Sequence, residues 1–362
     1  MPAVDPSQKA KMYTIDFLAV ENENSDSTKS GDAIVLNFTI PGTSRKAVVV
    51  IDGGYTATGQ EVVDHVAKYC NTDFIDLVIC THPDSDHLNG LTTILNNAHV
   101  GELMMHTPWA YAKDANVLGN YENIVALFNL ARSKGIPVTQ PFTGETRFQG
   151  AVSVLGPTEV RYIELLASAI DEERSGTAAQ RRGAALSHST GLLTKARTLL
   201  ERAVSYLPIE TLSDIDDTSP RNQMSVITLL DIDGKRHLLT GDAGIASLDA
   251  AVNEYERKIG PISIRPLHLF QAPHHGSKHN LGPTVLDRIL GKSGSPFAPS
   301  TSFISSAAAS PKHPSPKVVN ALIRRGGNVY ATEARNIRHR SHDVDEAGWT
   351  PIAPLPPVDE TD

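Results

Sequence analysis

The stretch "CTHPDSDHLNG", residues 80–90, sets His82, Asp84, Asp86 and His87 close together directly after the apolar run "IDLVI". A buried strand that ends in "THPDSDH" delivers polar side chains to a sheet edge, where open α/β folds build their sites. His82, Asp84 and Asp86 occupy alternate positions, so an extended backbone would point them the same way, with His87 at the turn into a helix. Imidazoles and carboxylates together suit a divalent zinc or manganese ion, and this many donors exceed the needs of one ion if others arrive from elsewhere. The alternative is a capped helix start, with Asp86 as N-cap and both histidines solvated.

Two later stretches favour the metal. "HLLTGDAG" ends an apolar strand at Asp242, and "LHLFQAPHHGSKHN" ends another at His274 and His275. Alone, Asp242 reads as a turn or a helix cap. Two adjacent histidines at a strand end are harder to explain structurally, because both rings would need partners.

The elements that must position these residues are legible from periodicity. Segments 12–20, 32–39 and 46–52 read as successive strands, and "GQEVVDHVAKYC" gathers Val62, Val63, Val66 and Ala67 on one helical stripe. "IDLVIC" returns to strand and "LNGLTTILNNA" to helix, which begins an α/β alternation. Helices are predicted over 121–134, 244–258 and 284–290, and strands over 151–155 and 264–270. "QMSVITLLDIDGKRHLLTGD" reads as a hairpin, and "SPKVVNALIRRG" as a helix with Pro316 in its first turn. Residues 158–220 are polar and weakly periodic over much of their length, which predicts a helical insertion or lid, with Arg181 and Arg182 solvated. The proline-rich, acidic residues 342–362 predict a disordered tail, leaving 1–341 as the folded domain.

A chain of 362 residues with 40% hydrophobic content can bury a large core. Its net charge of -8 excludes a general basic surface for coating nucleic acid, so an anionic ligand must be held by a local site. Two cysteines, Cys70 and Cys80, form neither a disulfide framework nor a zinc-knuckle spacing and suit a reducing compartment. No apolar run approaches a membrane span and the opening residues lack a signal core, so a soluble cytoplasmic protein with no membrane partner is expected.

In combination, "HPDSDH", "LLTGD" and "PHHGS" resemble the metallo-β-lactamase superfamily, and within it the hydrolase domain of ComEC-type competence proteins. "GDAIVL" followed by "VVIDGG" is similar to the strands that open that domain, and the likeness covers roughly residues 12 to 155 and 222 to 332. The resemblance implies an α/β (α+β) fold: a four-layer αβ/βα sandwich with two facing sheets, outer helices and a metal site at one edge. It assigns His82, Asp84, Asp86 and His87 to the first metal motif, with Asp84 where many members have histidine. It gives Asp242 the role of the aspartate that bridges two metals and makes His275 the terminal ligand, since it directly precedes the glycine; His274 exchanges with it or stands behind it. Asp52, in the early "DGG" turn, would hydrogen-bond a ligand from behind. The family also has a histidine ligand after a central strand; here "VLGPTE" puts Gly156 in its place, which leaves one metal short of a donor.

Two divalent ions, zinc or manganese, would carry more positive charge than Asp84, Asp86 and Asp242 offset, and a filled site would therefore suit an anion. The expected function is that of a metal-dependent hydrolase whose metal-bridging hydroxide cleaves a phosphodiester, as a nuclease or phosphodiesterase in DNA processing or defence. Asp86 would serve as ligand or as orienter of the water, and His313, in "SPKHPSPKVV", would act as general acid or bind the phosphate. Ser277, Lys278 and Lys312 are candidates to touch a phosphate oxygen, with solvated surface charge as the competing reading of each lysine. His106, His188, His279, His339 and His342 read as structural or solvated. Two alternatives remain: hydrolysis of a small ester, lactone or lactam, or a metal-stabilised partner in a larger assembly that has lost catalysis with the ligand at Gly156. The single ion, self-association and further protein partners stay open.

Overall fold

The computed structural model describes residues 12–22, 28–176, 209–342, 344 and 348–360. Arg181, Arg182 and His188 lie outside the described residues. The first half of the chain supplies strands β1 (Tyr13–Phe17), β2 (Ile34–Thr39), β3 (Lys46–Ile51), β4 (Leu77–Ile79), β5 (Leu103–Met104) and β6 (Val138–Thr139), with helices α1 (Thr56–His65), α2 (Ser85–Asn97) and α3 (Tyr121–Ser133) between them. The second half supplies β7 (Thr146–Arg147), β8 (Val152–Gly156), α4 (Glu159–Ser175), α5 (Pro220–Gln223), β9 (Ile227–Ile232), β10 (Lys235–Leu239), α6 (Ile245–Ile259), β11 (Leu269–Gln271), α7 (Pro283–Leu290), β12 (Ser300–Ile304), α8 (Pro316–Arg324), β13 (Gly327–Ala331) and β14 (Ile337–Arg340).

These strands form two seven-stranded sheets, ordered β6-β5-β4-β3-β2-β1-β14 and β7-β8-β9-β10-β11-β12-β13. Ile15, Phe17, Leu36, Val154, Leu230 and Phe303 fill the space between them, with Phe17 and Phe303 edge to face at 5.2 Å. Each such buried side chain contributes about 2 kcal/mol relative to exposure. Helices α1 to α3 cover the outer face of the first sheet and α6 to α8 that of the second, which makes the expected αβ/βα sandwich. With both faces covered, the inner strands are apolar on both sides, as the runs "VVVID" and "HLLTG" require.

The halves share one plan that their sequences conceal. In the first sheet the pairings β14·β1, β1·β2 and β2·β3 are antiparallel and β3·β4, β4·β5 and β5·β6 parallel. The second repeats this order, antiparallel through β10 and parallel from β10 to β13. Corresponding strands therefore end in corresponding chemistry: Asp52 follows β3 as Asp242 follows β10, and His82 follows β4 as His274 and His275 follow β11. All of them stand at carboxyl ends of strands, at one edge of the sandwich.

Helix α2 begins at Ser85, three residues before the apolar pattern suggests, because its first turn carries the motif. The extended stretch stops at Asp84, so Asp86 and His87 are aimed by the helix and not by strand alternation. Asp84, not Asp86, occupies the N-cap position, and its side chain makes no capping bond. The "DGG" turn docks on this first turn: Gly53 N–H donates to the His87 carbonyl at 2.8 Å, and Gly90 N–H to the Gly54 carbonyl at 2.9 Å. A Cβ on Gly90 would lie 1.8 Å from the Gly53 oxygen, so glycine is required by the approach itself. Gly90→Ala is expected to destabilise the protein by about 3 kcal/mol, read as a lower urea midpoint.

Two organisational expectations change. Helix α4, inside the presumed insertion, packs Tyr162, Leu165, Leu166 and Ile170 with Leu118 and Met224, and so belongs to the body. Residues 349–360 of the tail, expected to be disordered, have no regular secondary structure, while Leu355 and Val358 pack against the second core and buried Glu360 accepts hydrogen bonds from Asn320 and Arg324. Proline-rich composition masked this because the tail is fixed by side-chain contacts without regular structure. Among the described residues no helix is long and apolar enough to cross a membrane.

Candidate metal centre

Four imidazoles converge at the sandwich edge, and each is oriented from behind through Nδ1. His87 Nδ1 donates to Asp52 Oδ2 at 2.7 Å. His82 Nδ1 lies 3.0 Å from Thr81 Oγ1, whose own proton goes to Asp52 Oδ2 at 2.6 Å, so the hydroxyl is left to accept from the ring. His275 Nδ1 donates to the Ser305 carbonyl at 2.9 Å. His274 Nδ1 lies 3.1 Å from Asn280 Oδ1; the Asn280 amide donates to the Asp242 carbonyl, which turns its oxygen toward the ring. In this arrangement the Nε2 atoms of His82, His87 and His275 face the common space and offer a lone pair whenever the ring is neutral, while His274 Nδ1 also lies 3.1 Å from the Asn222 amide nitrogen.

Asp242 divides its oxygens between two groups. Oδ2 lies 3.5 Å from His82 Nε2 and 3.6 Å from His274 Nε2, while Oδ1 lies 3.4 Å from His87 Nε2. Asp84 Oδ2 joins the first group at 3.9 Å from His82 Nε2. Asp86 Oδ2 joins the second, 3.4 Å from His275 Nε2 and 3.9 Å from His87 Nε2. These separations are long for hydrogen bonds, whereas donors that share a tetrahedral cation stand about 3.4 Å apart. Nε2 of His82, His87 and His275 and Oδ1 of Asp242 are all buried without a hydrogen-bond partner. Buried polar atoms that converge unsatisfied fit a cation, and the donor sets Asp86, His87, His275 and Asp32, His87, Asp242 are each compact enough to hold one.

The electrostatics agree. Burial pulls His82 below its ordinary value, so its Nε2 is unprotonated at neutral pH. Burial also disfavours charge on His87 and His275, but Asp242, Asp52 and Asp86 hold His87 well above the ordinary range, and Asp86, Asp242 and Asp32 raise His275 to about 9. Burial opposes the charge of Asp86 and Asp242, yet the surrounding imidazoles outweigh it and hold both carboxyls below the ordinary range. Without a cation, His87 and His275 therefore carry protons at pH 7, and a cation must displace them. Cation uptake at pH 7 is expected to release about two protons per chain, measured by calorimetry in buffers of different ionisation enthalpy, with affinity rising as pH increases toward 9. The linked stability runs the other way. With its pKa raised from 6.5, His275 stabilises the cation-free protein fully below about 6.5, and this contribution is lost as pH rises through about 9.

The remaining expected residues fall in different places. Asp52 is buried behind His82 and His87, receiving the Thr81 N–H and hydroxyl and the His87 ring, which commits both of its oxygens. His313 is half-buried, its ring 5.8 Å from that of His274, and burial with the neighbouring histidines lowers it to about 3. Burial and these neighbours favour its neutral form. Ser277 is buried, and its Oγ accepts the His279 N–H. Lys278 and Lys312 are exposed on the flanking segments. Gly156 ends β8 facing Ile227, and His274 Nε2 lies 3.6 Å from Asp242 Oδ2. His106 is half-buried between Phe142 and Tyr162, His279 pairs with Asp217, and His339 contacts Tyr13.

Sequence reading missed Asp32, Thr81, Arg221, Asn222 and Asn280. Asp32 is buried, accepts from Gln271 Nε2 at 2.9 Å, and lies 3.9 Å from His87 and 4.0 Å from His275. Burial raises its pKa despite those two histidines. It stands in the quoted "GDAIVL" and Thr81 beside His82, but "SPRNQ" and "KHN" carry no pattern that marks Arg221, Asn222 or Asn280.

Comparison with known proteins agrees in part. A sequence model of the metallo-β-lactamase superfamily matches residues 35–164, which contain the first motif and stop short of Asp242 and the paired histidines. A search of curated proteins finds none that matches. Among solved structures, hydrolase AbOPH of the beta lactamase superfamily is similar with a TM-score of 0.34 and 10% identity over 70% of this chain and 86% of its own. A variant of the CmlA beta-hydroxylase is similar with a TM-score of 0.45 and 10% identity over 91% of this chain and 54% of its own. The match over residues 35–164 and the four-layer sandwich agree with a metallo-β-lactamase fold, which implies divalent metal ions, and the donor clusters are compact enough to hold them.

Proposed function

We propose that this chain is a metal-dependent hydrolase that cleaves a phosphodiester at a two-cation centre, in a branch of the superfamily akin to the ComEC-type hydrolase domain. The observation that carries this reading is the division of Asp242: one oxygen faces His82 and His274, the other His87, and each ring is pinned through Nδ1. His82, Asp84, His274 and Asp242 would hold one ion, and Asp86, His87, His275 and Asp242 the other. Zinc or manganese held there would supply a nucleophilic water at neutral pH and would stabilise charge building on phosphate oxygens. The residues of the chain do the rest. Asp52 and Thr81 fix the tautomers of His87 and His82, Asp86 orients the attacking water, and neutral His313 offers a hydrogen bond at the rim. Lys278 and Lys312 draw an anion, DNA included, toward an otherwise acidic molecule.

His274 also bears on the non-catalytic alternative, because it offers the donor that Gly156 does not. The deciding experiment assays protein reconstituted with zinc or manganese, beside Asp86→Ala, on bis(p-nitrophenyl) phosphate, DNA, a lactone and a β-lactam. Turnover of the phosphodiesters that disappears in Asp86→Ala supports the proposal. Turnover of the lactone alone contradicts it, and no turnover at full metal occupancy leaves the binding-partner reading.

A further inference from the structure

The mouth of the cluster holds a cation that the donor set does not use. Arg221, on α5, donates from Nη2 to Asp84 Oδ1 at 2.5 Å, and its Nη1 lies 3.6 Å from Glu173 Oε1 on α4. The side chain is 13% exposed, and its enclosed Nε has no hydrogen-bond partner among the described residues. Asp84 is 34% exposed and turns its other oxygen toward His82. A single carboxylate therefore separates a desolvated guanidinium from the candidate centre, on the side open to solvent.

A guanidinium presents donors in a planar fork that matches phosphate oxygens, and it retains its charge when desolvated. Lys278 and Lys312 are exposed and attract an anion at longer range, whereas Arg221 is largely enclosed between α4 and the first motif. An enclosed donor without an acceptor is unfavourable, so the hydrogen-bonding capacity of this guanidinium is incompletely used in the ligand-free protein. Glu173 keeps the guanidinium balanced when a cation draws on the charge of Asp84. Helix α4 buries Leu165, Leu166 and Ile170 in the body, so the geometry is pre-formed.

We propose that Arg221 is the anion clamp of this site, binding a non-bridging phosphate oxygen of the substrate beside Asp84. The proposal rests on the phosphodiester reading, but it can be tested apart from turnover. Inorganic phosphate is titrated calorimetrically into full-length protein reconstituted with zinc, as wild type, Arg221→Gln and Arg221→Lys, with metal content measured on the same samples. Arg221→Gln is expected to weaken phosphate about tenfold or more, with Arg221→Lys between it and wild type, and metal content the same in all three. On bis(p-nitrophenyl) phosphate the loss should fall mainly on KM. Undiminished phosphate affinity in Arg221→Gln overturns the proposal. So does a parallel fall in metal content, which would reduce Arg221 to a holder of Asp84. Phosphate binding that depends on Arg221 in a wild type without phosphodiester turnover would uphold the clamp and sink the proposed reaction.

Discussion

Asp242→Ala is expected to lower phosphodiester turnover on the order of a thousandfold, about 4 kcal/mol of barrier, and to leave less than one firmly held cation per chain. Among the described residues, no other contributes to both groups of donors: its oxygens stand 3.4 Å from His87 and 3.5 Å from His82. Removing the carboxylate takes a ligand from each group and the counter-charge from the cluster. The fold should survive, because the end of β10 is fixed independently, with Thr240 N–H donating to Gln271 Oε1 at 2.8 Å and Asp242 N–H to Ser225 Oγ at 3.1 Å. Asp242→Asn keeps the shape but not the charge and should fall between alanine and wild type. Metal content measured beside circular dichroism checks this; a folded Asp242→Ala chain that still holds two cations would contradict it.

The second large effect separates the adjacent histidines. His274→Ala is expected to lower the cation count from two to one and turnover on the order of a hundredfold, while His275→Ala removes the other cation. His274 belongs with His82 and the Oδ2 side of Asp242, whereas His275 belongs with Asp86. The chain can aim both rings inward because His274 and His275 adopt left-handed backbone, with φ of 49° and 57°. Side chains rarely hold that conformation, and strain of this kind collects at functional sites. The His274 side chain is 34% exposed, so its truncation removes little packing and the loss should be one of metal, not of stability. Equal cation counts in His274→Ala and wild type would return His274 to a supporting role.

How far the sequence leads depends on the range of each interaction. The first motif was legible because its donors lie within one turn of chain, and the strands because their apolar runs are unbroken. Convergence of Asp242, His274 and His275 on that motif could be expected only through resemblance, since the contacts span more than a hundred residues. The repeat of one sheet plan in two halves left no trace in periodicity, because strand pairing constrains polarity and not identity. Arg221 and Asp32 were missed for the same reason: each gains meaning from partners far along the chain, Asp84 for one and Gln271 for the other. The packing of the tail likewise comes from Glu360 meeting Asn320 and Arg324, which composition cannot register.

The most direct measurement is anomalous diffraction from crystals of the protein grown with manganese or zinc. Two peaks flanking the Asp242 carboxylate are expected, one among His82, Asp84 and His274, the other among Asp86, His87 and His275. An occupied crystal with no peak at Asp242, or with a single peak that leaves either group of histidines without a cation, would contradict the two-cation centre.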